Sequence, residues 1–194
     1  MTAFHESPST GPNAAIANRM QALIPVLQTE RLVLRAPRIE DFDAIADLLL
    51  GERGKYYGNC QNREEVWGEF IQLTATWFLR GFGAWAVTDK ISGRVLGFVH
   101  IGAEPGDQEH ELGYVVSRDA EGTGVAFEAC VAVREYALEV FKLPSLVSYF
   151  HEPNKRSVAL AHRLGGKRDA KAEAATAALD DACLVFRHAG PEAQ

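Results

Sequence analysis

Cysteine is scarce in this chain, three in 194 residues. Cys60, Cys130 and Cys183 stand far apart, with no CxxC pair and no Cys/His grouping. An odd, sparse set makes a poor disulfide framework and a poor zinc site, so neither a stapled secreted fold nor a metal centre is expected. Basic charge is also short, with 20 Lys and Arg against 26 Asp and Glu, a net charge of −6 and a pI near 5.5. Duplex DNA and anionic membranes are held by basic surface, so neither is expected as the main partner. A small anion in a local site stays open. Apolar runs are short as well; none approaches the ~20 residues that span a bilayer. The opening MTAFHESPSTGPNAAIANRM lacks the basic start and apolar stretch of a secretory signal. A cytoplasmic location is the expectation.

What is present is an ordinary globular composition, 47% hydrophobic and 24% charged, enough for a sizeable core in one domain. Residues 1–22 are small, polar and punctuated by Pro and Gly. They read as a tail with one helical turn around Ala14–Leu23, outside the core. Residues 23–188 form the domain, and 189–194 a C-terminal tail.

The periodicity then sets an order of elements. Thr29–Arg35 alternates as a strand, and Ile39–Leu50 carries a helical stripe that Gly51 and Gly54 close. Arg63–Leu79 is a second helix, with Val66, Phe70, Leu73 and Trp77 on one face. Ala84–Thr88 and Val95–Ile101 flank a turn-rich link and read as a hairpin, the second strand apolar on both faces and therefore central. Glu111–Val116, Gly124–Phe141, Leu146–Phe150 and Lys155–Leu164 read strand, helix, strand, helix, and so long a crossover implies a parallel, right-handed βαβ unit. Ala182–Arg187 is a last strand, and the alanine-rich Ala170–Leu179 is open between helix and loop. The fold class is α/β: one mixed central sheet of six to seven strands with helices on both faces, antiparallel in its first half and parallel later.

Two stretches could carry chemistry. In Glu121-Gly122-Thr123-Gly124-Val125-Ala126, between a strand and a helix, glycines let consecutive N–H groups point out of a helix N-terminus, where phosphate is favoured. A plain strand-to-helix turn is the competing reading of so short a pattern. Phe127 occupies the third-glycine place of a dinucleotide fingerprint, and no Lys-Ser/Thr follows as in a P-loop. The second stretch, His151-Glu152-Pro153-Asn154-Lys155-Arg156-Ser157, ends the next parallel strand, where ligands of open α/β sheets gather. Asn154 also reads as the N-cap of the following helix, and Ser157 as a first-turn bond to backbone.

In their order these residues resemble the GNAT N-acetyltransferases, and most closely the branch with the ribosomal-protein N-terminal (RimJ/RimL-like) enzymes. Leu27–Arg35 with Glu40-Asp41 is similar to that branch's opening strand and helix, and Gly83–Val87, Gly93 and Leu96–Val99 to its central hairpin. Glu111–Val116 followed by Gly122–Ala129 looks like its pyrophosphate motif, and Asn154, Ser157 and Leu164-Gly165-Gly166 like its last helix. The resemblance spans about residues 24–188. One departure stands out: Glu121 and Thr123 replace residues that are usually Gln or Arg and often basic, and a carboxylate opposes a pyrophosphate. Arg118 is one group that could compensate.

The resemblance implies acetyl-CoA as acyl-donor cosubstrate and a primary amine as acceptor, a protein N-terminus or a small molecule, with a homodimer as the protein partner considered. The fourth and fifth strands would splay, and the pantetheine arm would lie between them like an added strand. It would meet Tyr114, Val115 and Val116 on one side and Asn154 on the other, with pyrophosphate on the N–H groups of Gly122 to Ala126. Glu111 is the candidate base, directly or through water, against the reading of a sheet-edge carboxylate paired to a surface cation; His110 is the other candidate. A backbone N–H near Val116 would meet the oxyanion. Ser157 would contact sulfur and return a proton, with Tyr149 in reserve. Cys130 packs inside its helix. Trp67, Trp77 and Phe82 read as core before cleft, and Tyr56, Tyr57 and Asn59 as an acceptor-binding lid. Lys155, Arg156, Arg163, Lys167 and Arg168 outnumber Glu152 and Asp169 in one segment that could meet CoA phosphates. A GNAT-fold module that binds acyl-CoA without turnover is the alternative. A nucleotide-binding oxidoreductase is weakened by the missing third glycine.

Overall fold

The computed structural model describes residues 3–52, 54–151, 153–177 and 183–189. Glu152, Leu179, Ala182 and the tail expected beyond residue 189, all drawn on above, lie outside them.

The alternating run at Thr29–Arg35 is a hairpin rather than one strand. β1 (Leu27–Gln28) and β2 (Leu32–Arg35) pair antiparallel, with Leu27 opposite Leu34. Thr29 makes the turn: its Oγ1 accepts the Leu32 N–H at 2.9 Å, and its own N–H reaches the Leu32 carbonyl at 3.0 Å. A local side-chain bond thus competes with continued extension. β3 (Ala84–Asp89) and β4 (Val95–Gly102) form the expected hairpin, and β5 (Glu111–Val116) returns antiparallel to β4.

The helices follow their stripes and caps. A 3-10 turn at Ile39–Asp41 leads into α2 (Phe42–Leu49). α3 (Arg63–Arg80) starts where the Asn62 side chain accepts the Glu65 N–H at 3.0 Å, and it ends at Gly81, whose φ of +77° favours a residue without Cβ. After β5 come α4 (Val125–Glu139), β6 (Leu146–Phe150), α5 (Lys155–Arg163), β7 (Lys167–Arg168), α6 (Ala170–Ala177) and β8 (Leu184–Ala189). The alanine-rich segment is therefore helical over Ala170–Ala177. At the N-terminus, α1 (Gly11–Gln21) is 11 residues long, well beyond one turn, with a proline in its first turn and none of its side chains buried. Ahead of it, Arg63 holds Glu6 at 2.9 and 3.0 Å and so ties the beginning of the chain to α3.

Among the described residues the sheet has eight strands in the order β1-β2-β3-β4-β5-β6-β8-β7. The count exceeds the six to seven expected because β1 and β7 are two-residue strands, too short to show a period. β5 and β6 are its one parallel pair, and β8 then lies antiparallel between β6 and β7. One face packs on α4 through Leu32, Trp85, Val99, Ile101 and Leu112. The other packs on α2 and α3 through Ala84, Ala86, Phe98 and Val115. Both faces of β4 are covered, which is why its sequence shows no alternation.

Candidate functional site

The parallel pair carries the first half of the site. β5 and β6 are in register only at Glu111 opposite Val147, joined by the Val147 N–H to the His110 carbonyl at 3.0 Å. One residue further, a side chain takes over from the ladder: Ser148 Oγ donates to the Leu112 carbonyl at 2.6 Å. Beyond that point the strands part.

The pairing with β4 shows which backbone groups face the gap. Ser117 N–H bonds the Leu96 carbonyl at 2.8 Å, and the register runs Val116 to Gly97, Val115 to Phe98 and Tyr114 to Val99. In an antiparallel ladder, bonded and non-bonded pairs alternate. Val115 therefore spends its N–H and C=O on β4, while those of Tyr114 and Val116 point into the gap. Val115 instead places its side chain in the core under α2 and α3. Tyr114 crosses toward α5: its ring meets Phe150 edge-on at 6.4 Å, and its buried hydroxyl has no hydrogen bond. Burial raises the Tyr114 pKa and Cys130 adds to it, while the adjacent Ser157 side chain lowers it. Tyr114 and Ser157 are thus brought together at the gap.

The glycine turn forms the gap's far end. Gly122 (φ +72°) and Gly124 (φ +86°) take left-handed backbone that only glycine adopts without strain. Among the described residues, no backbone carbonyl accepts from the N–H groups of Gly122, Gly124, Val125 or Ala126. Thr123 turns inward, its Oγ1 on the Ala120 carbonyl at 2.6 Å. Arg31 donates to the Thr123 carbonyl at 3.1 Å and pairs with Glu128 at 2.7 Å, and Thr29 donates to Glu128 at 2.5 Å. The β1–β2 turn therefore pins the first turn of α4. Glu121 is ion-paired with Arg156 in the first turn of α5. Asn154 caps α5, its Oδ1 accepting the Ser157 N–H at 3.3 Å.

The second half of the site lies on the α2/α3 face, the face to which Phe98 and Val115 and the residues two places from them along each strand point. His100, 3% exposed, is the buried histidine of β4. Its ring occupies space that glycines leave free: a Cβ on Gly113, its partner across the ladder, would sit 2.0 Å from the ring, and one on Gly102 would sit 2.9 Å away. Nδ1 shares a hydrogen bond with the Tyr57 hydroxyl at 2.9 Å. Nε2 is buried without a hydrogen-bond partner, 3.7 Å from the Glu111 carboxylate. Glu69 on α3 and Glu104 after β4 lie close enough to act on this group. Burial raises the Glu69 pKa, and Glu111 adds to that while His100 opposes it. Burial raises Glu104 too, followed by repulsion from Glu69 and Glu111. Burial and these same three carboxylates push the Tyr57 hydroxyl up.

Other sequence candidates fall elsewhere. Trp77 and Phe82 are core, the indole N–H of Trp77 bonding the Ala84 carbonyl at 2.8 Å, and Trp67 packs edge-on to Phe42 at 5.2 Å. His110 lies against Phe82 at 5.2 Å, and burial, then Arg80, lowers its pKa. Tyr149 is pushed up to about 12 by burial and then Asp107, with backbone N–H groups of Gln108 and Glu109 opposing. Cys130 is fully buried. Of the basic run, Arg156 pairs with Glu121, Arg168 with Glu173 at 2.7 Å, and Arg163 lies over the Phe127 ring at 4.7 Å. No group of three or more His, Cys, Asp or Glu side chains among the described residues could hold a metal ion. No helix there is long and apolar enough to cross a membrane. The sequence reading missed His100, Glu69 and Glu104; the one available signal was a lone histidine in an otherwise apolar strand.

Residues 31–167 match the family model "Acetyltransferase (GNAT) domain". An acetyltransferase of known structure from Agrobacterium tumefaciens is 37% identical, over 84% of this chain and 94% of its own, at a TM-score of 0.78. YkkB of Bacillus subtilis is 26% identical over 147 residues, 72% of this chain and 83% of that protein. The fold is shared with RimL, the ribosomal L7/L12 α-N-protein acetyltransferase, in its complex with coenzyme A, at a TM-score of 0.62 and 18% identity over 84% of this chain and 94% of that one. With so much of its length inside one family's pattern, this chain belongs to the GNAT acetyltransferases and is an N-acetyltransferase.

Proposed function

We propose that the chain moves an acetyl group from acetyl-CoA to a primary amine, a protein N-terminal α-amine or a small-molecule amine, by direct attack. The observation that carries this reading is the opened edge of β5. Tyr114 and Val116 turn N–H and C=O groups into the gap, four unbonded N–H groups at Gly122 and Gly124–Ala126 stand at one end, and Glu111 opens the strand at the other. A pantetheine arm carries amide groups that pair with such an edge, and a pyrophosphate suits the unbonded donors at a helix N-terminus. The Glu121–Arg156 pair removes the charge objection to that anion, and with it the main ground for a module that binds acyl-CoA without turnover.

Acetyl-CoA supplies the activated acetyl as a thioester. Glu111 takes a proton from the incoming ammonium, a task far easier for an α-amine, with pKa about 7.7–8.0, than for a lysine-like amine near 10.4. Val116 aims its N–H where negative charge develops on oxygen. Ser157, beside the Tyr114 hydroxyl, returns a proton to the departing sulfur. The branch of the ribosomal-protein enzymes, a homodimer and a cytoplasmic location belong to the same proposal. Two measurements test it: acetyl-CoA raises the melting temperature while NAD does not, and free thiol appears when acetyl-CoA meets a panel of amines and peptides. Absence of any shift with acyl-CoA sinks the reading; a shift without thiol release across the panel returns belief to the binding module.

A further inference from the structure

Glu69, Glu104 and Glu111 come from three separate elements, α3, the loop after β4 and the start of β5. Among the described residues the basic group that acts on them is His100. Glu69 and Glu111 are half-buried and Glu104 is exposed, and among the described residues no lysine or arginine pairs with any of the three, whereas Asp41 pairs with Arg35, Glu109 and Asp169 with Arg187, Glu128 with Arg31, and Glu121 with Arg156. The contrast is local and strong. A protein that neutralises its acids elsewhere leaves these without a cation, on one face and around one buried ring.

That ring supplies an independent sign of a ligand. His100 Nε2 is buried and makes no hydrogen bond, and a buried polar atom in that state costs about 1–3 kcal/mol. The ring is held by Tyr57 on its other nitrogen and by the glycine surfaces of Gly102 and Gly113, so it does not turn away to find a partner. Nε2 lies 3.7 Å from the Glu111 carboxylate without a hydrogen bond between them, so the two polar groups stand side by side. A primary ammonium has three N–H donors and a positive charge, which suits an oxygen and a ring nitrogen side by side. One ammonium there is balanced by Glu111 alone. Glu69 and Glu104 remain, and like charges that stay unpaired near one another are stabilised by a further cation.

From this we infer that the acceptor is a small polycationic amine, such as a diamine or polyamine, whose reacting nitrogen sits between Glu111 and His100 while a second ammonium is held by Glu69 and Glu104. The inference rests on the acetyltransferase reading and narrows its acceptor. Atoms balance simply: Glu111 removes one proton from the reacting ammonium, the new C–N bond forms as the C–S bond breaks, the second nitrogen proton leaves with the sulfur as free thiol, and the distal ammonium stays charged throughout.

The test compares a diamine with a monoamine of the same carbon length, and both with a longer polyamine and a peptide. Thiol release from acetyl-CoA is followed with 1,5-diaminopentane, spermidine, pentylamine and a tripeptide with a neutral side chain at its N-terminus, at low and at physiological salt. The expected result is a kcat/KM for the diamine and spermidine at least tenfold above pentylamine and the peptide, with the advantage shrinking as salt screens it. Glu69→Gln and Glu104→Gln each raise KM for the diamine by about tenfold, the size of one lost charge contact in a partly buried site. They leave KM for acetyl-CoA within twofold, and the advantage of the diamine over pentylamine shrinks. Equal turnover of pentylamine or the peptide, or variants that do not change the diamine KM while melting normally, overturns the polycation inference and leaves the transferase standing. No thiol release with any amine, together with no melting shift from acetyl-CoA, brings down both.

Discussion

The gap beside β5 and the acidic cup under α3 touch at Glu111, yet they are built by opposite means. The gap recognises through backbone: parity along β5 points Tyr114 and Val116 into it, and glycines at positive φ expose the N–H groups of the following helix. Apart from Tyr114 and Ser157, the side chains around it are engaged elsewhere, with Thr123 bonded to its own loop, Asn154 capping α5 and Glu121 paired to Arg156. The cup is made of side chains that arrive from distant parts of the chain. A backbone site tolerates altered side chains, whereas a side-chain site changes its ligand with each one. On the proposed function, donor recognition is a property of the fold, and acceptor recognition a property of this sequence.

Variants at the shared residue separate the two most sharply. Glu111→Gln should cut turnover by about 10²–10⁴, the usual reach of a general base, while the melting shift from acetyl-CoA persists. A loss of that shift would mean the two halves are not separable. The base of the gap is next. Ser148 Oγ gives its proton to Leu112, so at 2.9 Å the His188 Nε2 must donate to it, and Nδ1 is left buried without a partner. Burial, then Arg134, lowers the His188 pKa from 6.5 to about 4. The unfolded chain therefore takes up the proton first, so this stability is whole above pH 6.5 and drains as pH falls toward 4. The loss amounts to about 3 kcal/mol at one pKa unit per ~1.36 kcal/mol. Urea unfolding at pH 7, 5.5 and 4.5 should show the slope, and His188→Asn should flatten it.

Smaller effects fill in the contrast. Gly113→Ala places a Cβ on the His100 ring and should cost about 1–3 kcal/mol, the range for overpacking, with turnover lost and acetyl-CoA binding kept. If the variant turns over normally, the ring's fixed position is not needed. Ser157→Ala should lower kcat about tenfold, roughly 1.4 kcal/mol of barrier, without changing KM for acetyl-CoA; equal kcat removes its acid role. Smallest is the pair at the gap's mouth. Arg156→Ala leaves Glu121 uncompensated and should weaken acetyl-CoA by a few-fold, within the ~0–1 kcal/mol of exposed ion pairs, and Glu121→Gln on top should restore it.

The same division explains what could be read in advance. The strands at Glu111–Val116 and Leu146–Phe150 agree residue for residue with the sequence periodicity, and the glycine turn between β5 and α4 was legible because positive φ leaves a mark in composition. Thr29–Arg35 misled because a threonine turn inside an alternating run looks like more of the run. β1 and β7 are shorter than one period. α1 was read too short, although Thr10-Gly11-Pro12 marks a helix start. A lone histidine in an apolar strand is the only mark His100 leaves in the sequence, and its meaning depends on Gly113 across the ladder and Tyr57 from 43 positions away. Glu121 looked like a defect until Arg156, 35 positions later, came to face it.

Ser148 sets one further quantity. Two strands that separate from a common start behave like the walls of a notch, and the stress of wedging something between them concentrates at the tip. Here the tip is closed by a hydroxyl that reaches one wall and is itself braced by a ring from the strand beyond, so it resists further opening from two directions. The depth of the notch, and hence how far an inserted chain advances before it stops, is measured from that one oxygen.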